Sequence, residues 1–219
     1  MQKQLYITDR RKISFKISIG NGDFALSPIY KMLNEQSERD EVNITILNCS
    51  VSEAPEKTHD RTIDAAYFII PASMEDSVRD YCLSHRLLIT RLKELTCQIN
   101  VRENHPILDN FTKEQLWNYP FVDFINQSPF AYDVYQRYIN PNKIIEVDHH
   151  SLRSKIVSET DAFSIGVPLS GKTKEALHII GIPTPELKMQ IYEIRRQSDK
   201  RSALFNRYRH IIEKDLLEL

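Results

Sequence analysis

The chain has 219 residues, with 29 basic and 30 acidic side chains and a net charge of −1, a balance that excludes a dedicated nucleic-acid binder, whose phosphate contacts need a basic excess. Hydrophobic residues at 41% and charged residues at 27% exclude a disordered chain. A chain of this size buries about 70% of the surface it exposes when unfolded, enough for one large domain or two small ones.

The spacing predicts the following elements. Residues 13–19 alternate apolar and polar and read as a strand. Gly20 and Gly22 break it, and Leu26, Ile29, Tyr30 and Leu33 then follow at helical spacing over 26–36. A second strand covers 42–47, a short helix plus loop lies within 52–62, and the apolar run 63–70 suits a strand buried on both faces. This alternation is the α/β pattern, with parallel pairing expected.

Further on, 95–101 reads as a strand, Thr112 caps a short helix over 113–118, and 121–125 is another strand. Pro129 opens a helix carrying Phe130, Val134, Tyr135 and Tyr138. Strands at 143–147 and 163–167 flank a helix at 151–158. A last strand covers 189–194, and a helix at 200–218 carries Leu204, Tyr208, Ile211, Ile212 and Leu216 in one stripe.

No apolar run reaches the roughly 18 residues of a membrane span. The first residues lack the apolar stretch of a secretion signal. The three cysteines, Cys49, Cys82 and Cys97, match no metal spacing. Together these predict a cytoplasmic protein in a reducing compartment.

Three motif matches carry chemistry and are discounted. Gly166 to Thr173 fits the phosphate-binding pattern G-x-x-x-x-G-K-[ST], with Lys172 on the terminal phosphates and Thr173 on Mg²⁺. The helix that should follow is cut by Gly181, Pro183 and Pro185, and no later apolar strand ends in a metal-holding Asp. Asp148, His149 and His150 resemble a phosphoesterase signature, but adjacent side chains on a strand point to opposite faces, and no aspartate cluster precedes them. A basic cluster from Arg195 to His210 is interleaved with acids and reads as a solvated helix face. No metal, cofactor or catalytic constellation is therefore expected.

The order of elements resembles the effector-binding domain of LysR-type transcriptional regulators. Phe15 to Gly20, a polar loop and a helix with Pro28 resemble its opening strand, glycine and helix. Arg61 to Tyr67 resembles its Ile-Asp strand. His105-Pro106 followed by Leu116, Pro120 and Val122 resembles its His-Pro-Leu passage. Ser151 to Val157 and Ala162 to Pro168 resemble its next helix and strand, though the glycine expected before Phe163 is replaced around Thr160, Asp161 and Ala162. The resemblance covers about residues 13–217. The family's N-terminal helix-turn-helix is absent, so the chain reads either as an isolated regulatory fragment or as a stand-alone relative, with DNA contacted only through that missing domain.

The resemblance implies an α/β fold of two Rossmann-like lobes, like type 2 periplasmic binding proteins. Lobe I would be 13–90 plus 195–219, lobe II 91–194, and 1–12 a linker remnant. The crossing strands would lie near 92–98 and 189–194, with a small polar effector between the lobes. Ligands of α/β sheets bind beyond the carboxyl ends of strands. The polar strand ends here are Asn21, Gly22 and Asp23; Asn48 and Ser50; Asn126, Gln127 and Ser128; and His149 and Ser151. The resemblance also implies a homodimer, a tetramer when full-length. Ile29, Leu33 and Ile44 of lobe I would meet Tyr132, Tyr135 and Tyr138 of lobe II, aromatics being enriched at interfaces. The rival readings are a binding protein or enzyme on the same fold, and a phosphate-loop nucleotide-binding protein.

Overall fold

A computed structural model of the chain describes residues 12–20, 23–35, 41–125, 136–169, 171–198 and 203–217. The contacts divide the chain into two compact units. The first holds residues 1–68, 81–90 and 193–218; the second holds 69–80 and 91–192.

In the first unit, β1 (Lys12–Ile19), β2 (Glu41–Leu47) and β3 (Ala65–Pro71) follow the order β2-β1-β3. Both pairs are parallel, in register from Lys12 opposite Glu41 to Ser18 opposite Leu47, and from Ile17 opposite Ala65 to Ile19 opposite Tyr67. Parallel neighbours need a crossover. The helix α1 (Ser27–Asn34) supplies the first and α2 (Glu53–His59) the second. All seven residues of β3 are buried, as its apolar run requires.

The C-terminal helix, here α6 (Ala203–Leu217), lays Phe205, Tyr208, Ile212 and Leu216 into this core. Phe205 joins the expected stripe, while Leu204 and Ile211 are only half-buried. The Tyr208 ring lies 5.2 Å from Phe15 and 5.7 Å from Tyr67, and its hydroxyl donates to the Ala25 carbonyl at 2.7 Å.

Two strands are far longer than the sequence pattern indicated. The strand β4 (Leu87–Arg102) and the later β8 (Ile179–Arg196) each hold residues of both units. Alternation in β4 is legible only over its C-terminal half. The first half of β8 carries Gly181, Pro183 and Pro185. Prolines two apart remove N–H donors from one side of a strand only, so the strand survives where periodicity predicts a break. A Cβ at Gly181 would lie 2.1 Å from the end of the Gln98 side chain, which would have to move to admit it. A helix at Glu75–Ser84, α3, was also missed. Its buried stripe is only Val78 and Cys82, and Glu75 and Asp76 favour its first turn through the helix dipole.

In the second unit, β5 (Phe121–Phe124) and β6 (Ile144–Val147) pair in parallel, and β7 (Ser164–Gly166) pairs antiparallel with β4. The helix α4 (His150–Glu159) packs on β5 and β6, with Val122, Phe124, Val147, Val157, Ala162 and Ile179 forming the core. Residues 113–118 form a 3-10 turn at Glu114–Asn118, and the Thr112 hydroxyl accepts from the Gln115 N–H at 3.3 Å. His105 accepts from the Ile107 N–H at 3.0 Å through Nδ1 and bonds the Asp161 carbonyl at 2.9 Å through Nε2, so the His-Pro pair caps the Pro106–Leu108 turn. The helix expected from Pro129 falls largely outside the described residues.

One guanidinium fastens the first unit. Arg196, at the end of β8, donates to the Thr58 and Ile63 carbonyls, both at 2.6 Å, and to Asp64 Oδ1 at 3.2 Å. Asp64 Oδ2 in turn accepts from the Lys16 N–H at 2.8 Å. Arg196→Met leaves two carbonyls without their donor and should cost about 2–4 kcal/mol. Urea denaturation measures this, and Arg196→Lys should not restore it, because an ammonium lacks the planar fork that reaches all three acceptors.

Candidate functional site

The polar strand ends fall into two groups, one in each unit. In the first unit, Gly20 follows β1, and its N–H donates to the Tyr67 carbonyl at 2.8 Å. A Cβ at Gly20 would lie 3.2 Å from the Cys49 carbonyl and 3.5 Å from Phe68 Cβ, so the ends of β1, β2 and β3 approach closely there. Asn21 and Gly22 lie outside the described residues, as does the side chain of Asp23, which begins a 3-10 turn. The helix α1 then starts with no side-chain cap and with Pro28 in its first turn.

Past β2, Asn48 is exposed and Cys49 buried. Ser50 is engaged with its own helix. Its N–H donates to Glu53 Oε2 at 3.0 Å, and its hydroxyl accepts from the Glu53 N–H at 3.3 Å. This reciprocal pair is a capping box, written in the sequence as Ser50, Val51, Ser52, Glu53. The Ser50 backbone bond is the largest of the effects holding the Glu53 carboxyl below its usual range.

In the second unit the described part of β5 ends at Phe124, followed by the exposed Ile125; Asn126, Gln127 and Ser128 lie outside the described residues. After β6, His149 caps α4: its Nδ1 accepts from the Ser151 N–H at 3.4 Å and lies 3.0 Å from the Ser151 hydroxyl. The structure thus brings His149 and Ser151 together as a helix start.

Beside this cap stands a group that the sequence reading overlooked. The Arg153 guanidinium lies 4.6 Å from the centre of the Phe124 ring, and the His150 ring lies 4.4 Å from that same ring. Gly166 leaves room for Arg153, since a Cβ there would lie 3.2 Å from Nη2. Half-buried Asp123 sits opposite Glu146 on the paired strand. Burial pushes the Asp123 carboxyl up to about 6, with Glu146 adding to the rise, while the Phe124 N–H and Arg153 pull against it. The signal for Asp123 was in the sequence: one acid inside the apolar run Phe121, Val122, Phe124, Ile125. Arg153 carried no such signal, because an arginine on a helix is ordinary.

The expected interface residues divide. Ile29 is 3% exposed and Tyr138 2%, the latter donating to Glu186 at 2.5 Å. Leu33 and Ile44 are half-buried; Tyr132 and Tyr135 lie outside the described residues.

The phosphate-loop match lacks its setting. The strand before it, β7, has three residues and pairs antiparallel with β4, and the helix α5 (Gly171–Leu177) has seven. Among the described residues no helix is long and apolar enough to cross a membrane.

Asp123 generates a pH prediction. Its folded value of about 6 exceeds the roughly 3.9 of an unfolded aspartate. The protonated form favours folding, so this contribution is full below about pH 4 and lost as pH rises through 6. Asp123→Asn should remove that slope and raise stability above pH 6 by about 1–3 kcal/mol. Thermal melts from acid to neutral pH check it; an unchanged slope would count against this assignment.

No family model and no curated protein matches the sequence. Solved structures do. The effector-binding domain of QuiR in complex with shikimate aligns at 13% identity and a TM-score of 0.63, over 94% of this chain and 96% of that one. The reduced regulatory domain of OxyR2 from Vibrio vulnificus aligns at 10% identity and 0.64, over 94% and 96%. The effector-binding domain of BenM with its effector benzoate aligns at 18% identity and 0.62, over 94% of each chain. The chain therefore has the fold of the effector-binding domains of LysR-type regulators, periplasmic-binding-protein-like and mixed α/β.

Proposed function

We propose that the chain is the effector-sensing regulatory domain of a LysR-type transcriptional regulator and works without catalysis. The observation that carries this is the alignment over 94% of the chain with domains whose role is regulatory. The effector is a small polar molecule bearing a carboxylate. Two similar domains hold acids, shikimate and benzoate. In the second unit of this chain the Arg153 guanidinium stands by the α4 cap, where a carboxylate finds charge-assisted donors. In the first unit the exposed Asn48 past β2 adds an amide, and Asn21 is proposed as a contact from the sequence alone. Asn126, Gln127 and Ser128 are proposed contacts because they follow a strand in the sequence.

A thermal-denaturation screen of small carboxylic acids, amino acids, sugars and Mg-nucleotides tests the reading. Ligand at 100 times its dissociation constant adds about 2.7 kcal/mol, or roughly 5–10 °C for a chain of this size. One acid should give that shift, and Arg153→Ala should abolish it. A shift with Mg-ATP that vanishes in Lys172→Ala would overturn the reading in favour of a nucleotide site.

The chain is also proposed to form a homodimer. The edge strand β2 exposes Val42 at 39% and Ile46 at 45%, and α1 exposes Tyr30 at 58%, apolar surface that a second copy would cover. Sedimentation should show a dimer that Ile46→Asp converts to monomer; a wild type that sediments as a monomer at every concentration refutes it.

A further inference from the structure

A second cation reaches the sheet of the second unit beside Arg153. In the β4–β7 pair Gln98 lies opposite Gly166 and Asn100 opposite Ser164. Residues directly opposite each other in an antiparallel pair share a face. Gln98, Asn100 and Ser164 are all buried, so three polar side chains stand together where a buried sheet face ordinarily carries apolar ones. From α4, Arg153 brings Nη2 to 3.2 Å from where a Cβ of Gly166 would lie, so the guanidinium takes the place of that side chain. From α5, half-buried Lys174 donates from Nζ to Gln98 Oε1 at 3.3 Å. Both cations therefore flank one register pair, whose Cβ positions are roughly 4.5–5.5 Å apart.

We propose that Arg153 and Lys174 together hold an acid carrying two negative charges, as a dicarboxylate or as a single dianionic oxyanion. The proposal rests on the effector-sensing reading above and narrows its ligand from one carboxylate to two charges. Charge balance supports it. Asp123 is the carboxyl that acts on Arg153, with the exposed Glu146 opposite it on β6. Among the described residues Lys174 has no carboxylate partner; its one bond is to the neutral Gln98 amide. A partly buried ammonium without a counter-charge is costly, and a bound anion removes that cost.

The buried amides support it as well. Gln98 Nε2 donates to Asn100 Oδ1 at 2.9 Å, which fixes the orientation of both amides. The Asn100 side chain, 2% exposed, then keeps two N–H donors that no described residue accepts. The division of labour follows from the two cations. Arg153 offers a planar fork for one pair of oxygens, and Lys174 offers a point charge for the other. Lys174 lies one residue past the phosphate-loop match, so that stretch of α5 contributes a lysine outside the motif.

Calorimetric titration of the full chain at neutral pH and constant ionic strength tests this, with succinate, glutarate and inorganic sulfate as dianions and acetate and benzoate as monoanions. At least one dianion should bind about tenfold more tightly than either monoanion. Lys174→Gln should weaken that dianion by about tenfold or more and any monoanion by less than about twofold. Arg153→Gln should weaken both, and Lys155→Gln, on the exposed face of α4, should weaken neither. Circular dichroism melts without ligand establish that each variant folds. Preference for succinate or glutarate identifies two carboxylates, and preference for sulfate a single dianionic group. An acid that needs Arg153 but binds equally well to Lys174→Gln would overturn this inference and leave the effector-sensing reading standing. Binding of none of the five anions would overturn it too, and the wider thermal screen then decides that reading separately.

Discussion

A carboxylate sealed from water must be met by partners or its burial costs several kcal/mol. Glu193 is fully buried on β8, and the first unit is arranged around it. Tyr67 of β3 donates to its Oε1 at 3.0 Å. Arg209 of α6 brings Nε within 3.2 Å of Oε2 and extends to Glu213 at 3.2 Å, with Arg195 Nε at 4.0 Å. One group thus links a strand, the C-terminal helix and the strand leaving the second unit. Burial raises the Tyr67 hydroxyl well above its usual range, and Glu193 adds to that, which keeps the phenol a donor. Arg196, three residues along β8, does for the α2–β3 connection what Glu193 does for α6.

The same accounting governs the strand ends. Parallel pairing sets the ends of β1 and β2, and of β5 and β6, side by side. Each helix that begins there leaves N–H groups without intrahelical partners. Ser50 and Glu53 answer that need at α2, and His149 answers it at α4. The polar character of these loops is thus partly consumed by folding. Of the expected strand-end residues, Asn48 is exposed and stands outside these caps. A count of polar residues at strand ends therefore overstates the number free for recognition.

How much could be read in advance follows from the same physics. Strands β1, β3 and β5 and helices α1 and α6 were legible because each buries a regular face or run, whereas β2, β6, α2 and α4 were legible from sequence pattern and order although they bury little. The first half of β8 was not, since its prolines mimic a break while removing donors from one side only. The helix α3 was not, since two buried residues make too thin a stripe. Within the site, Ser50 and His149 were visible as polar strand ends; the Ser50–Glu53 box was written in the sequence as well, but the His149 cap was not, because histidine carries no such signature and the turn that follows decides it. Asp123 stood out in its apolar run, whereas Arg153 gains its setting only when the fold places Phe124 beneath it and Gly166 beside it.

The low identity to domains of the same fold is intelligible in these terms. A fold is preserved when each position keeps its burial class and each buried polar group keeps a partner, and neither demand names a particular residue. Close approaches are stricter: a side chain at Gly20 would press on the Cys49 carbonyl, one at Gly181 would displace the end of Gln98, and the His105–Pro106 cap needs an acceptor for the Ile107 N–H. The residues that face a ligand carry no such obligation, so 10–18% identity leaves the architecture intact while freeing the chemistry at the strand ends to differ. The proposed reading makes the Arg153 guanidinium, held over the Phe124 ring and beside Gly166, the place to look for such a difference.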